Sequence, residues 1–403
     1  MRLLFVVQRY GAEVFGGAEL HGRELAVRLA ARGHDVEVVT SCAVDYMDWA
    51  NAYPPGESLV DGVKVHRLPV ARPRVRAVFD AINGRALRRP WLLAPHLQRE
   101  WMRLQGPLIP ELPGWLEERS AGFDATIFFT YLYYTTWAGL PAAASPAVLH
   151  PTAHDEPPIY LALFDAVFRL ADAFAFSTEE EAAFVRRRFR VARPSRVFGV
   201  GIELDAAGDP GPFRERYGLG DRPYVVCVGR IDPAKGSHEL YDHFTRYCGR
   251  HRDPPTLVFV GEEVIELPEH PHVVKTGFVD DETRNAAIKG AELLIQPSYF
   301  ESFSIVLCEA WAQEVPALVQ GHSPVLLGQS VRSGAGVPYR GYAGFEAGLQ
   351  RLLGDRALRR RLGEAGRAYV ESRYRWPVVL SSYEAFLEEL LGRPAPAAVR
   401  AGC

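Results

Sequence analysis

The run Glu292-Leu293-Leu294-Ile295-Gln296-Pro297-Ser298-Tyr299-Phe300-Glu301-Ser302-Phe303-Ser304-Ile305-Val306-Leu307-Cys308-Glu309 falls into three parts. Its first seven residues are apolar in the middle and closed by Pro297, the pattern of a buried strand ending in a turn. Glu301 then stands on a loop at the C-terminal end of that strand. A helix is expected from near Ser304, continuing through Ala310-Trp311-Ala312 and carrying Glu309 about two turns in. In open α/β sheets, ligands bind at that end of the strands. The start of such a helix offers backbone N–H groups around Phe303, Ser304 and Ile305, a seat for a phosphate. A carboxylate accepts two hydrogen bonds side by side, which suits the paired hydroxyls of a ribose. The competing reading makes Glu301 a charge complementing the helix dipole and puts Glu309 on a solvated face.

Outward from this stretch the same alternation repeats. Tyr224–Gly229 reads as a buried strand, followed by Arg230-Ile231-Asp232-Pro233-Ala234-Lys235-Gly236 and a helix. Leu257–Gly261 and Val273–Val279 are further strands, the second leading through Phe278 and Val279 to a helix from Asp281. Ala317–Val319 and a helix over Gly344–Leu353 complete this half. In the first half, Leu3–Val7, Asp35–Thr40, Val63–Leu68, Ala125–Phe129, Ala147–His150, Ala173–Ser177 and Ser195–Gly201 read as strands, with helices over Ala18–Arg32 and Thr178–Phe189. Short apolar runs alternating with helices imply an α/β fold with a parallel sheet, twice over. Asp205–Pro223, rich in Gly, Pro and Asp, is the clearest break in composition. It places an N-terminal domain at 1–203 and a second at 204–375. Pro377 interrupts the helical pattern of 376–392, and the tail 393–403 is expected to be flexible.

The chain has 403 residues, enough for two domains, and 48% hydrophobic with 24% charged residues is ordinary for a soluble globular protein. A net charge of −3 offers no global basic field for nucleic acid. Five scattered cysteines contain no C-x-x-C pair, so neither a disulfide framework nor a zinc site is suggested, and a reducing cytoplasm fits. Five consecutive apolar residues at the start are too few for a signal-peptide core, and no run approaches the length of a transmembrane helix.

Four further features carry chemistry. Gly16-Gly17 turns the chain between the first strand and its helix, where a ligand can approach bare backbone; a plain tight turn is the alternative. His154 lies just past the Ala147–His150 strand, where a ligand would sit, unless it is an ordinary surface histidine. The stretch 72–101 sets Arg72, Arg74, Arg76, Arg85, Arg88 and Arg89 among Phe79, Trp91, Leu92, Leu93 and Trp101. That composition suits peripheral contact with an anionic or lipid-linked acceptor at a membrane surface, or a solvated charged face. Residues 45–123 otherwise read as irregular apart from the Val63–Leu68 strand. Arg230 and Lys235 flank one strand-end loop as Glu301 flanks another in the same half. Two cations there neutralise a diphosphate, arginine as a fork and lysine as a point charge, and help it depart.

With these motifs together, the sequence resembles glycosyltransferase family 4. The family's Gly-Arg-x(4)-Lys-Gly stands here as Gly229-Arg230 through Lys235-Gly236, and its Glu-x(7)-Glu element as Glu301 through Glu309. The resemblance implies the GT-B fold: two Rossmann-like domains facing across a cleft, with the last helix crossing back to the first domain. It also implies retaining transfer of a sugar from a nucleoside diphosphate donor to a hydroxyl acceptor (a glycan, a lipid-linked or a small molecule), without metal or other cofactor. By the same resemblance Arg230 and Lys235 bind the diphosphate, Glu309 the ribose and Glu301 the transferred sugar. His154 hydrogen-bonds that sugar, and Gly17 serves the phosphate or acceptor side. Gly229, Phe278, Val279, Phe303, Ser304 and Ile305 complete the donor set. Where the family often shows Pro-x-Gly-Val-Asp, this chain has Phe198-Gly199-Val200-Gly201-Ile202-Glu203. A nucleotide-sugar epimerase of the same architecture and a non-catalytic nucleotide-sugar-binding subunit are the rival readings.

Overall fold

The computed structural model describes residues 1–392; the tail beyond lies outside the described residues. The chain forms two compact units. One is Met1–Gly199 together with the described residues from Val379, the other Val200–Val378.

The first unit is built on eight strands: β1 (Arg2–Val6), β2 (Asp35–Ser41), β3 (Gly56–Val60), β4 (Val63–Leu68), β5 (Ala125–Phe129), β6 (Ala147–His150), β7 (Ala173–Phe176) and β8 (Ser195–Val197). They lie in the order β3-β4-β2-β1-β5-β6-β7-β8, and every pairing except β3 with β4 is parallel. The central strands are mostly apolar because helices cover both faces: each of Ala125–Phe129 is buried, with Thr126 the one polar residue among them. The helix Gly17–Ala31 follows β1 and buries Leu25, Ala26 and Leu29.

The stretch 45–123 is more regular than its sequence suggests. β3 and β4 form an antiparallel hairpin turning at Asp61-Gly62, both with positive φ, and helices run over Arg76–Arg88, Pro95–Gln105 and Leu112–Arg119. β3 is an edge strand with four of its five residues exposed, so it carries no apolar alternation to read.

The second unit has six parallel strands: β9 (Tyr224–Val228), β10 (Thr256–Val260), β11 (Val273–Lys275), β12 (Leu294–Gln296), β13 (Ala317–Gln320) and β14 (Gly336–Tyr339), in the order β11-β10-β9-β12-β13-β14. β14 and the helices Pro324–Ser333 and Arg356–Arg373 had no reading in the sequence; Pro338 sits in β14 because that strand is at the sheet edge, where a missing N–H costs least. Pro377 is the second residue of the helix Trp376–Leu390, where proline begins a helix instead of breaking one. From Val379 this helix belongs to the first unit. Tyr383 is buried there, with its hydroxyl 2.9 Å from His150 Nε2 and its ring 5.0 Å from that of Phe198. The return of the last helix to the first domain is therefore present. Among the described residues no helix is long and apolar enough to cross a membrane.

Candidate functional site

In the second sheet β9 is flanked by β10 on one side and β12 on the other, so successive connections leave it in opposite directions. The crevice at such a switch point is where open α/β sheets hold ligands. Two loops line it: residues 229–236 after β9 and residues 297–304 after β12.

The first loop is folded by Asp232. Its carboxylate accepts the Lys235 backbone N–H at 3.1 Å and caps the short turn Pro233–Lys235. Gly236 follows with φ +73°, and a Cβ there would collide with the Pro297 carbonyl oxygen of the second loop. The two loops can approach only because residue 236 has no side chain.

The approach brings Lys235 and Glu301 together, with Nζ donating to Oε1 at 2.9 Å. The Glu301 carboxylate keeps the lysine pKa above its ordinary value, against the opposing effects of burial and of Arg230. Arg230 is thus close enough to be felt, and its guanidinium pairs with Asp232 at 3.2 Å while staying 40% exposed. An ammonium has three donors, so Lys235 can keep Glu301 and still offer N–H groups to a phosphate.

The helix of the second loop begins at Ile305, because Ser304 takes the left-handed conformation (φ 70°, ψ 77°). Glu309 is therefore its fifth residue, little more than one turn in and not two. Ser304 is buried, and its hydroxyl accepts from the Gln296 amide at 2.9 Å. The Phe303 side chain is also buried, edge-on to Tyr374, and its carbonyl accepts from the Gln329 amide, so what it can offer a ligand is backbone. The N–H groups of the first turn, Ile305 among them, have no acceptor within the helix.

Glu309 is not on a solvated face. Arg284 Nη2 donates to its Oε1 at 2.9 Å, and the same guanidinium holds Asp281 at 2.8 Å. Burial raises the Glu309 pKa, with Arg284 opposing the rise. Phe278 and Val279 lie past the end of β11, on the loop and not the strand. Phe278 is 59% exposed, while Val279 packs against the core. Gly229 donates its N–H to the Val260 carbonyl at 2.9 Å and so ties β9 to β10 where they end.

In the first unit the corresponding switch point is at β1, between β2 and β5. The Gly16-Gly17 loop leaves from there. A Cβ on Gly16 would collide with the Glu19 carboxylate. Beneath the loop Arg9 and Glu19 form a buried ion pair, Nε to Oε1 at 3.0 Å, and Arg9 also donates to the carbonyls of Val44 and Phe15. His154 lies on the loop after β6, its Nδ1 3.6 Å from Glu156, which in turn accepts from the Tyr131 hydroxyl at 2.9 Å. That loop is fixed by Glu181, whose two oxygens accept the backbone N–H groups of Ala153 and Ser177, each at 2.6 Å. Burial pushes the Glu181 pKa up to about 8 against the pull of these donors.

Arg9, Glu19, Glu181 and Arg284 had no reading in the sequence. The contacts from Arg9 to Glu19, Arg284 to Glu309 and Glu181 to Ala153 span 10, 25 and 28 positions, so spacing alone does not join them. A charged residue inside an apolar helical face, as Glu181 is in the helix Glu179–Phe189, was the available signal. Among the described residues no group of three or more His, Cys, Asp or Glu is placed to hold a metal ion.

Residues 16–201 match the family model for a glycosyl transferase 4-like domain, and residues 212–369 the model for glycosyl transferases group 1. The D-inositol 3-phosphate glycosyltransferase of Nocardia farcinica is 28% identical over 96% of this chain and 88% of its own length. Among solved structures, sucrose-phosphate synthase from Thermosynechococcus elongatus superposes with a TM-score of 0.73 at 19% identity, covering 97% of this chain and 99% of that one. Anabaena HepE, solved in complex with UDP, gives 0.69 at 15% identity, covering 96% and 100%.

Proposed function

This chain is a family 4 glycosyltransferase with the two parallel-sheet α/β domains of the GT-B fold, and from that premise we propose that it transfers a sugar from a UDP- or GDP-sugar to a hydroxyl acceptor with retention of configuration. The observation that carries the reading is the 2.9 Å bond from Lys235 to Glu301, joining the two loops at the β9–β12 switch point with Arg230 beside them. The two cations take the diphosphate, and no metal is required to neutralise it. Arg284 presents Glu309 to the ribose hydroxyls, and the first turn of the Ile305–Ala312 helix receives a phosphate oxygen. Glu301 faces the transferred sugar, which gains positive charge as its bond to phosphate loosens. His154 hydrogen-bonds that sugar, and Gly17 serves the phosphate or acceptor side. Where no side chain acts as nucleophile, the departing phosphate itself takes the acceptor proton. The cytoplasm is the compartment that supplies such donors. The UDP in the Anabaena neighbour supports a nucleoside diphosphate, and the transferase name of the Nocardia relative weighs against an epimerase.

The test is thermal unfolding with UDP, GDP and their sugars, paired with slow donor hydrolysis in the absence of acceptor. One nucleoside diphosphate should raise the midpoint with concentration, since it binds only the native state. The matching nucleotide sugar should release diphosphate slowly. Lys235→Ala should weaken donor binding by about 10- to 100-fold, one charge-assisted contact being worth roughly 1.5–3 kcal/mol. Absence of any shift refutes a nucleotide-sugar site, and binding without release refutes catalysis.

A further inference from the structure

The exposed large hydrophobic residues of this chain are unevenly distributed. Val75, Val78, Leu87, Trp91 and Leu92, five of the thirteen among the described residues, fall within eighteen positions of one insert. Trp91 is 68% and Leu92 66% exposed, side by side in the short turn Pro90–Leu92 that follows the helix Arg76–Arg88. On that helix Val78, Ala81, Arg85 and Arg88 recur at spacings of three, four and three, which places them on one face, and all four are exposed.

The charge of the insert is equally one-sided. Residues 72–103 contain eight arginines and two acids, Asp80 and Glu100, a net of six positive charges in a chain whose total is −3. Both acids are already matched, Asp80 to Arg76 at 3.7 Å and Glu100 to Arg72 at 3.3 Å and Arg103 at 3.5 Å. Arg85, Arg88 and Arg89 are exposed and form no ion pair among the described residues. The insert also has a rigid base: Trp101 is buried and donates to Asn83 at 3.0 Å, and Arg74 lies over the Phe79 ring. The exposed side chains are therefore presented by a packed platform.

We propose that this platform docks the protein on a membrane surface of anionic lipid. Trp91 and Leu92 enter the boundary between headgroups and acyl chains, a depth that suits an amphipathic ring and an aliphatic neighbour. Arg85, Arg88 and Arg89 meet the phosphate groups around them. The exposed aliphatic residues decide against a nucleic acid: Val75, Val78 and Leu92 have no π-face on which a base stacks, whereas a bilayer removes them from water; Leu87, nine positions from Val78, is on the other side of the helix. The docking deepens the acceptor side of the proposed transfer, since a hydroxyl carried by a lipid would be met where the protein sits. It does not depend on the donor.

The test is co-sedimentation of the full chain with vesicles of phosphatidylcholine alone and of phosphatidylcholine with one third phosphatidylglycerol, in the absence of any sugar nucleotide. Binding should require phosphatidylglycerol and weaken as salt is raised. The double variant Trp91→Ser/Leu92→Ser and the triple variant Arg85→Gln/Arg88→Gln/Arg89→Gln should each lose about ten-fold or more in partition. All substituted positions are exposed, and an unchanged melting midpoint for both variants shows that folding is intact. Equal binding to both vesicle types, partition unaffected by either variant, or preferential capture of single-stranded RNA over vesicles each overturns the proposal. Because donor hydrolysis is measured without lipid, a failure here leaves the transferase reading standing, and a failure there leaves this one.

Discussion

Glu301 stands on the loop before the Ile305–Ala312 helix and Glu309 is that helix's fifth residue, and they differ in their partners. Glu309 is fixed by Arg284, remote from the bond that the proposed transfer breaks. The ribose contact proposed for it would be the same before and during transfer, so Glu309→Ala should raise KM for the donor with little change in kcat. Glu301 is bonded to Lys235, and in the proposed site both lie beside the diphosphate. Glu301→Gln keeps the shape and removes the charge, and it should lower kcat more than it raises KM. Michaelis kinetics on both variants separate the two roles. A change in KM alone for Glu301→Gln would make that residue a support for Lys235, with no part in stabilising the sugar. Gly236 gives a purely steric prediction at the same site. Its φ of +73° and the Pro297 oxygen in the path of a Cβ mean that Gly236→Ala should destabilise the fold by about 1–3 kcal/mol. It should also push the two loops apart and weaken the nucleotide-induced thermal shift. Denaturant midpoints equal to those of the parent would show that the loops yield freely.

Among the elements, the helix Gly17–Ala31 and strand β6 meet through two histidines, His21 and His150, with ring centroids 5.2 Å apart and the Phe129 ring stacked on His150 at 4.5 Å. Burial lowers the His21 pKa to about 4, and burial with the neighbouring His21 holds His150 well below the ordinary value. The unfolded chain titrates these groups near 6.5, so between that pH and about 4 it takes up protons that the folded chain refuses. Their contribution to stability is full above 6.5 and is lost as the pH falls. His21 should cost about 1.4 kcal/mol per pH unit in that window, and His150 adds to the slope in the same direction. Chemical denaturation from pH 7.5 to 5 should show the slope, and His21→Leu should remove its share. A slope identical to the parent's would mean that His21 titrates alike in both states.

The elements legible in the sequence were those whose physics is local. β5, β9, β10 and β12 are mostly apolar and almost wholly buried because the sheets are covered on both faces, and they stand out as short apolar runs. β3 is solvated and lacked that signature, although Asp61-Gly62 between two runs is a hairpin turn signal. The strand expected over Ser195–Gly201 keeps only Ser195–Val197, and the one over Val273–Val279 stops at Lys275. Apolar residues continue past both ends into loops. The site follows the same rule. Arg230, Lys235 and Glu301 announce themselves because strand ends fix where they stand. Arg284 and Glu181 act on partners 25 and 28 positions away, and only the folded chain brings them there.

At the scale of the whole molecule, the proposed site relies on fixed cations, so transfer should survive EDTA. An assay before and after chelation, then after addition of magnesium or manganese, checks this; complete loss with recovery on adding the ion would show that Arg230 and Lys235 do not suffice. The path of the chain has a further consequence. The first unit is not finished at Gly199, since it also needs the helix that closes the described chain. Tyr383 reaches His150, Arg196 grips Glu389 at 2.8 Å, and Glu384 holds both Arg32 at 2.8 Å and His34 at 3.0 Å. A ribosome therefore delivers β1 to β8 early and the helix that seals them last, after the whole of the second unit has emerged. During synthesis the earlier half waits, its His150 and Phe198 uncovered, for the later half to be made. A premature stop codon anywhere in the second unit would spoil both.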